Sequence, residues 1–270
     1  MPNEPVLFMI LTEIQYALGG ASGLLVGMSL GLFGGGGSIL AVPLMVYLVG
    51  VPSAHVAIGT SAFAVAVNAA IGLASHARHG SVRWGCAAAF SIAGIVGAFA
   101  GSSLGKMVDG EKLLFLFAIL MMAIGVLMFR HRHGEGDPDA RCTRSNAPKV
   151  ALFGGITGSF SGFFGIGGGF LIVPALIAAT GMTTLSAIGT SLVAVTAFGL
   201  TTAANYALDG FVDWWLAGIF ILGGLVGGIL GERLARYLSS KGGMLRTAFS
   251  GLIFVVAIYM AYESALQFGL

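Results

Sequence analysis

The chemistry this sequence can offer is concentrated in two glycine clusters. Gly34, Gly35, Gly36 and Gly37 run into Ser38, and Gly165, Gly167, Gly168 and Gly169 surround Ile166. Glycine reaches φ > 0 and lets a ligand approach bare backbone. Each cluster precedes a short apolar segment, so its amides would lie at a helix N-terminus, where the partial positive charge attracts anions. The competing reading is close helix packing, for which membrane interfaces also use glycine. No Lys-Ser/Thr pair follows either cluster, which argues against a nucleotide phosphate loop.

A second set of polar groups lies downstream of each cluster. Thr60, Ser61 and Asn68 follow the first, and Thr190, Ser191 and Asn205 follow the second. Ser61, Asn68 and Ser75 are spaced seven apart and share one helical face. Ser191, Thr202 and Asn205 form the matching set, with Phe198 standing where the first half has Asn68. Uncharged donors of this kind could hold an oxyanion in a low-dielectric site, or could simply bond helix to helix. His76, one turn from Arg78, could relay a proton near neutral pH or serve as an interfacial histidine. Arg78 and Arg83 read as topology signals. No nucleophile–base arrangement, HExxH or CxxC is present, so neither an enzyme, a cofactor nor a metal is expected. The His131/His133 pair sits among charges in a solvated loop. Cys86 lies in an apolar segment and Cys142 in a polar one, and two such thiols suggest no disulfide framework.

The elements that must position these residues are membrane spans. The chain is 57% apolar and 9% charged, with a mean hydropathy of +0.95, against about 25% charged in a soluble domain. Its net charge of +2 gives no footprint for nucleic acid. The first apolar run lacks a basic flank and reads as a span, not a cleaved signal. The expected fold is all-α, a polytopic transmembrane helical bundle.

The bundle is doubled. Gly31-Leu-Phe-Gly-Gly-Gly-Gly-Ser-Ile-Leu-Ala-Val-Pro43 recurs as Gly162-Phe-Phe-Gly-Ile-Gly-Gly-Gly-Phe-Leu-Ile-Val-Pro174. Gly59-Thr60-Ser61 matches Gly189-Thr190-Ser191, Trp84 matches Trp214, and Gly94, Gly97 and Gly101 match Gly224, Gly227 and Gly231. Each half divides into five apolar segments, A to E: 6–33, 38–50, 54–77, 84–105 and 112–130, then 149–164, 169–180, 184–207, 214–238 and 244–266. Residues 1–130 thus form the first repeat, 131–149 a linker and 150–270 the second repeat. The B segments, at ~1.5 Å per residue, make only ~20 Å of helix, short of a ~30 Å hydrocarbon core. Paired short or glycine-interrupted segments at matching positions point to the binding site of a secondary transporter. The D segments carry small residues at four-residue spacing: Ala93, Gly97, Gly101 and Gly105, then Gly223, Gly227 and Gly231. That pattern lets helices approach closely.

Charge placement predicts orientation. The linker between Arg130 and Lys149 is basic and reads as cytoplasmic. The C–D turn is basic in the first half (Arg78, Arg83) and acidic in the second (Asp209, Asp213), and the D–E turns show the reverse bias. Opposite bias at equivalent turns predicts inverted-topology repeats, with an odd number of crossings in each half. Five crossings satisfy this, and so do three if A and B form a re-entrant hairpin.

The doubled glycine motif ending in Val-Pro43 and Val-Pro174, each followed by Gly-Thr-Ser, resembles the TauE/SafE family of membrane permeases, the sulfite exporter family. The resemblance covers about residues 16 to 266. It implies export, or in some members uptake, of a small sulfur-containing anion such as sulfite or an organosulfonate across the inner membrane, coupled to protons. It also implies about eight spans, which re-entrant A–B pairs would reconcile with ten segments. The alternatives are a passive anion channel and a non-transporting membrane scaffold or sensor.

Overall fold

The computed structural model describes residues 11–130, 137, 140, 142–143, 146–167, 169–239, 251 and 258–259. Gly168, most of the linker and nearly all of the second E segment lie outside the described residues. The described chain is helical. Helix α1 (Glu13–Phe33) leads into a 3₁₀ segment (Gly34–Leu40), a short α2 (Ala41–Pro43) and a π-helical turn (Leu44–Leu48). There follow α3 (Ala54–Arg78), α4 (Trp84–Gly105), α5 (Gly110–Arg130), α6 (Ala147–Phe164), α7 (Gly169–Thr180), α8 (Thr184–Leu208) and α9 (Trp214–Ser239). Among the described residues, five stretches are long and apolar enough to cross a membrane: Glu13–Leu48, Ala54–Arg78, Trp84–Gly105, Thr184–Leu208 and Trp214–Leu234.

Local chemistry sets the boundaries. Thr12 and Gln15 close a capping box on α1. Ser53 Oγ accepts from the Val56 N–H at the start of α3, and Thr183 Oγ1 accepts from Ser186 at the start of α8. Such caps satisfy amide groups the first turn leaves open. The α1 helix stops at Gly34, at φ 62°, and α6 stops at Gly165, at φ 67°. A side chain at either would be strained and would also strike a neighbour, Ile188 for the first and Ile58 for the second.

The chain reverses at the first glycine cluster. Gln15 Nε2, one turn into α1, donates to the Val49 carbonyl at 3.1 Å. Because α1 runs ~30 Å at 1.5 Å per residue, the segment after Phe33 must return that distance to meet its start. The sequence's helical B segment is therefore the irregular, returning limb of a hairpin. Pro43 lies inside it and lacks an N–H to continue the helical ladder.

Helices α3 and α8 form the centre and run antiparallel. The loop after α3 contacts the start of α8, where the Arg83 N–H donates to Thr190 Oγ1 at 3.0 Å. The loop after α8 contacts the start of α3, where the Asp213 N–H donates to Thr60 Oγ1 at 2.9 Å. These contacts define two ends of the bundle. One, the first face, gathers the start of α1, the start of α3 and the turns at Lys106 and Asp209. The second face gathers the turn at Arg83 and the end of α7, where the Asp137 N–H donates to the Gly181 carbonyl at 2.8 Å.

The flanking pairs cross the halves: α1 lies along α9, and α4 lies along α6. Each pair is parallel and nearly backbone to backbone. Gly23, Gly27 and Gly31 face Phe220, Gly224 and Gly228, while Gly154, Gly158 and Gly162 face Phe90, Gly94 and Ala98. The D-segment glycines complete the other side, with Gly97, Gly101 and Gly105 against the carbonyls of Gly155, Ser159 and Phe163. Small residues at this spacing permit the approach, and Cα–H···O contacts add a little to it. Outward, Ile92, Val96, Phe99, Trp215, Leu222 and Val226 are exposed. A continuous apolar exterior of this kind marks a lipid-facing surface.

The cysteines correct the sequence reading. Cys86 and Cys142 are joined as a disulfide, with Cα atoms 5.2 Å apart, across 56 positions of chain. Their separation hid the pairing. It arises because Cys86 begins α4 at the face where the linker returns toward α6.

Candidate functional site

The glycine breaks meet at the centre. A methyl group added at Gly169 would overlap the carbonyl and Cα of Gly35, and one added at Gly35 would meet Gly169 and Val195. The two interruptions therefore touch through bare backbone. Gly34, Gly35, Gly36, Gly37 and Ser38 are all buried, as are Gly165, Ile166, Gly167 and Gly169. The Gly35 N–H donates to Ser191 Oγ at 3.3 Å, and Ser38 Oγ donates to the Gly35 carbonyl at 3.0 Å. Ser191 and Ser61 each donate to a carbonyl one turn back, those of Ile188 and Ile58. In this conformation these described polar groups bond one another, and the Gly35 and Gly169 backbones are in contact.

The space lies beside the breaks. A cavity of about 170 Å³ reaches inward between α1, α3 and α9. Its wall includes Gly31, Asn68, Ser75, His76, Gly228 and Glu232. Gly31 opens the first glycine motif, so the cavity ends next to the break. Asn68 is 7% exposed, and neither of its amide atoms has a hydrogen-bond partner in the protein. Ser75 Oγ donates to Glu232 Oε1 at 2.7 Å. His76 Nδ1 and Ser81 Oγ lie 3.0 Å apart. These residues belong to the second face.

The equivalent region of the other half is filled. Asn68 lies against Gly224, and its counterpart Phe198 lies against Gly94. The Phe198 ring is fully buried and stacks on Phe90, with centroids 6.1 Å apart. Beyond it the first face carries a polar seal. Lys106 Nζ donates to the Asn205 carbonyl at 3.0 Å and to Asn205 Oδ1 at 2.9 Å, and pairs with Asp209. Asn205 Nδ2 donates to Ser102 and Ser103 at 2.6 and 3.0 Å. One face is thus closed by packing and an ion pair, while the other holds a pocket.

The expected site residues separate accordingly. Asn68 and His76 share the cavity. Ser191 sits at the glycine contact, while Ser61 donates within α3 to the Ile58 carbonyl. Thr60 and Thr190 accept from loop amides, and Asn205 belongs to the seal 99 positions from Lys106. Gly168 lies outside the described residues. The sequence reading counts Lys106 only among the D–E turn charges and does not single out Glu232. A carboxylate inside an apolar segment is itself a signal, since ionisable groups in spans default to function; Glu232 lies within the second D segment. Among the described residues, no cluster of His, Cys, Asp or Glu could hold a metal.

The family described as Sulfite exporter TauE/SafE matches residues 19–260. A probable membrane transporter protein of Xylella fastidiosa (strain 9a5c) is 51% identical over 249 residues, covering 90% of this chain and 94% of the relative. A probable membrane transporter protein of Methanocaldococcus jannaschii is 29% identical over 254 residues, covering 88% and 92%. No solved structure matches. With its apolar helices, its doubled glycine breaks and a family match across nearly its whole length, the chain is a membrane transporter and belongs to the TauE/SafE sulfite exporter family.

Proposed function

We propose that this chain is a secondary transporter that exports a small sulfur-containing anion, such as sulfite or an organosulfonate, across the inner membrane with protons as the coupling ion. Two inverted repeats, 1–130 and 150–270, work against each other, each with a re-entrant A–B hairpin and three crossings. The linker 131–149 and the second face lie on the cytoplasmic side. The observation that carries this reading is the inequality of the two ends. A cavity runs from the second face to the first glycine break, while Phe198 and the Lys106–Asp209 pair close the equivalent path at the first face.

In this proposal the anion enters between α1, α3 and α9 and meets the unpartnered amide of Asn68. Rocking of one repeat against the other parts Gly35 from Gly169 and frees the amides of Gly34–Gly37 to hold the anion. The same motion releases the seal at the first face, the alternating-access pattern of inverted-repeat transporters. The inside assignment of the second face rests on Arg78, Arg83, Arg233 and the linker cations, which the positive-inside rule places in the cytoplasm. The family description and the names of the relatives support transport, and the sulfur anion follows from the family's description.

Flux of radiolabelled sulfite into vesicles carrying the purified protein tests the reading. Asn68→Phe, which puts the bulk of Phe198 into the cavity, should reduce flux to the level of protein-free vesicles while leaving insertion intact. Full flux through that variant would refute the proposed path.

A further inference from the structure

Two hydroxyls are left over in the half that is filled. Ser161 on α6 and Thr202 on α8 are fully buried, and neither side-chain oxygen has a hydrogen-bond partner in the protein. A polar group left unpaired away from water costs free energy. In the sequence repeat Ser161 answers to Leu30 and Thr202 to Gly72, and both of those line the cavity of the other half. The pattern extends toward the first face. Tyr206, whose hydroxyl is also buried and unpartnered, answers to His76 on the cavity wall. The remaining unpartnered serines differ: Ser22 and Ser29 do not line the cavity, and Ser91 answers to Ile221, which does not line it either.

The two regions match in packing as well as in sequence. Gly27 and Gly31 abut Gly224 and Gly228, as Gly158 and Gly162 abut Gly94 and Ala98. The Ser161 carbonyl accepts from the Ile166 N–H at 3.3 Å, so Ser161 adjoins the second glycine break as the cavity adjoins the first. What differs is the filling. Phe198 stands where the cavity has Asn68, with its ring against Gly94. A phenyl ring has no lone pair to accept from the two hydroxyls, and Ser102 replaces the cavity's one carboxylate, Glu232. Their missing acceptor has to come from outside the protein. A small oxyanion supplies several acceptor oxygens at once, and a hydroxyl donates to any of them.

We propose that Ser161 and Thr202 form a second subsite for the anion, covered by Phe198 in this conformation and occupied when the first face opens. This rests on the transport reading above: Asn68 holds the entering anion and the hydroxyl pair holds the leaving one. Motion that parts α8 from α4 draws the Phe198 ring off Gly94 and leaves a space bounded by the two hydroxyls. Each donates to an anion oxygen there. Neutral donors hold the anion without the Coulomb trap that a buried cation would set in a low dielectric. The Tyr206 hydroxyl and Lys106 stand next on the way out, with Lys106 Nζ 5.9 Å from the centroid of the Tyr206 ring. No covalent bond changes.

The test measures exchange of radiolabelled sulfite by full-length protein in right-side-out and inside-out vesicles, which gives a half-maximal sulfite concentration for each side. Thr202→Val and Ser161→Ala should each raise that concentration about tenfold on one side, the worth of a hydrogen bond to a charged group, and less than about twofold on the other. Asn68→Leu should do the reverse, so the comparison holds whichever way the protein is inserted. Thr202→Ser keeps the hydroxyl and should stay near wild type. Without sulfite, Thr202→Val should melt at or above the wild-type temperature, because the exchange keeps the shape and breaks no bond within the protein. A lower melting temperature would show the hydroxyl bonded inside the protein and would overturn the proposal. Unchanged half-maximal concentrations would leave water as the hydroxyls' partner and overturn it too. An equal rise on both sides, or a rise on the side that Asn68→Leu affects, would place the hydroxyls on a shared site and likewise overturn it. A wild type that moves no sulfite in any mode fails the transport reading and the subsite with it, whereas wild-type exchange with any of these contrary results fails the subsite alone.

Discussion

The backbone N–H of Arg83 donates to the hydroxyl of Thr190 at 3.0 Å. Its counterpart, Asp213 to Thr60, repeats the contact at 2.9 Å from the other half. Each repeat thereby holds the loop that follows the partner's central helix. Both loops stand where α3 and α8 pass each other, so the pair of contacts fixes how the two halves face one another. The Thr hydroxyls act as clamps on backbone.

Thr60→Val and Thr190→Val should each lower thermal stability in detergent. A part-buried amide left without its acceptor costs about 1–3 kcal/mol, and the double variant should lose about twice that, because the contacts share no partner. Melting followed by intrinsic fluorescence checks this. The half-maximal sulfite concentration for flux should stay near that of wild type in whatever fraction remains folded.

Gly169→Ala should be far more damaging than Gly218→Ala. A methyl at Gly169 overlaps the Gly35 carbonyl, whereas Gly218 has open space around it. At Gly218 the exchange should be neutral or stabilising by up to ~1 kcal/mol through helix propensity. Yield of monodisperse protein and melting temperature separate the two. Equal behaviour would mean that the breaks are not in backbone contact.

The Lys106–Asp209 seal predicts a conformational bias. Lys106→Met or Asp209→Asn should loosen the first face and leave the second face intact. A cysteine introduced at Ser102, in a background lacking Cys86 and Cys142, should gain reactivity toward an impermeant maleimide added from the first face. Reactivity equal to that in the unaltered seal would count against gating at this end.

The native cysteines test orientation. With the linker on the cytoplasmic side, Cys142 meets a compartment that keeps thiols reduced, so the Cys86–Cys142 bond would be open in the cell and would close only on oxidation. After mild reduction, an impermeant maleimide should label Cys142 in inside-out vesicles and spare it in right-side-out ones. The opposite pattern would turn the transporter over.

Much of this architecture is legible in the sequence, for physical reasons that can be named. The glycine motif around Gly34 and Gly165 announces interrupted helices because helical backbone rarely yields in hydrocarbon unless something else satisfies it. The small residues at Gly97, Gly101, Gly223 and Gly227 announce close helix pairs, and the structure shows them against carbonyls of α6 and α1. Long-range pairing is what sequence conceals. Nothing local to Thr60 says that its hydroxyl meets Asp213, and nothing local to Cys86 points to Cys142. Glu232 was hidden by its neighbours, since Arg233 and Arg236 make the stretch look like a surface turn. Its place in the cavity wall emerges only when α3 brings Ser75 against it.

Counterflow tests the central claim most directly. Vesicles carrying the protein are loaded with a high concentration of unlabelled sulfite and diluted into a trace of labelled sulfite, with no pH gradient or membrane potential. Alternating access through a site that faces one side at a time predicts that label rises inside well above its outside concentration, then decays as the internal pool drains. Label that only equilibrates, or that fails to enter, would contradict the account.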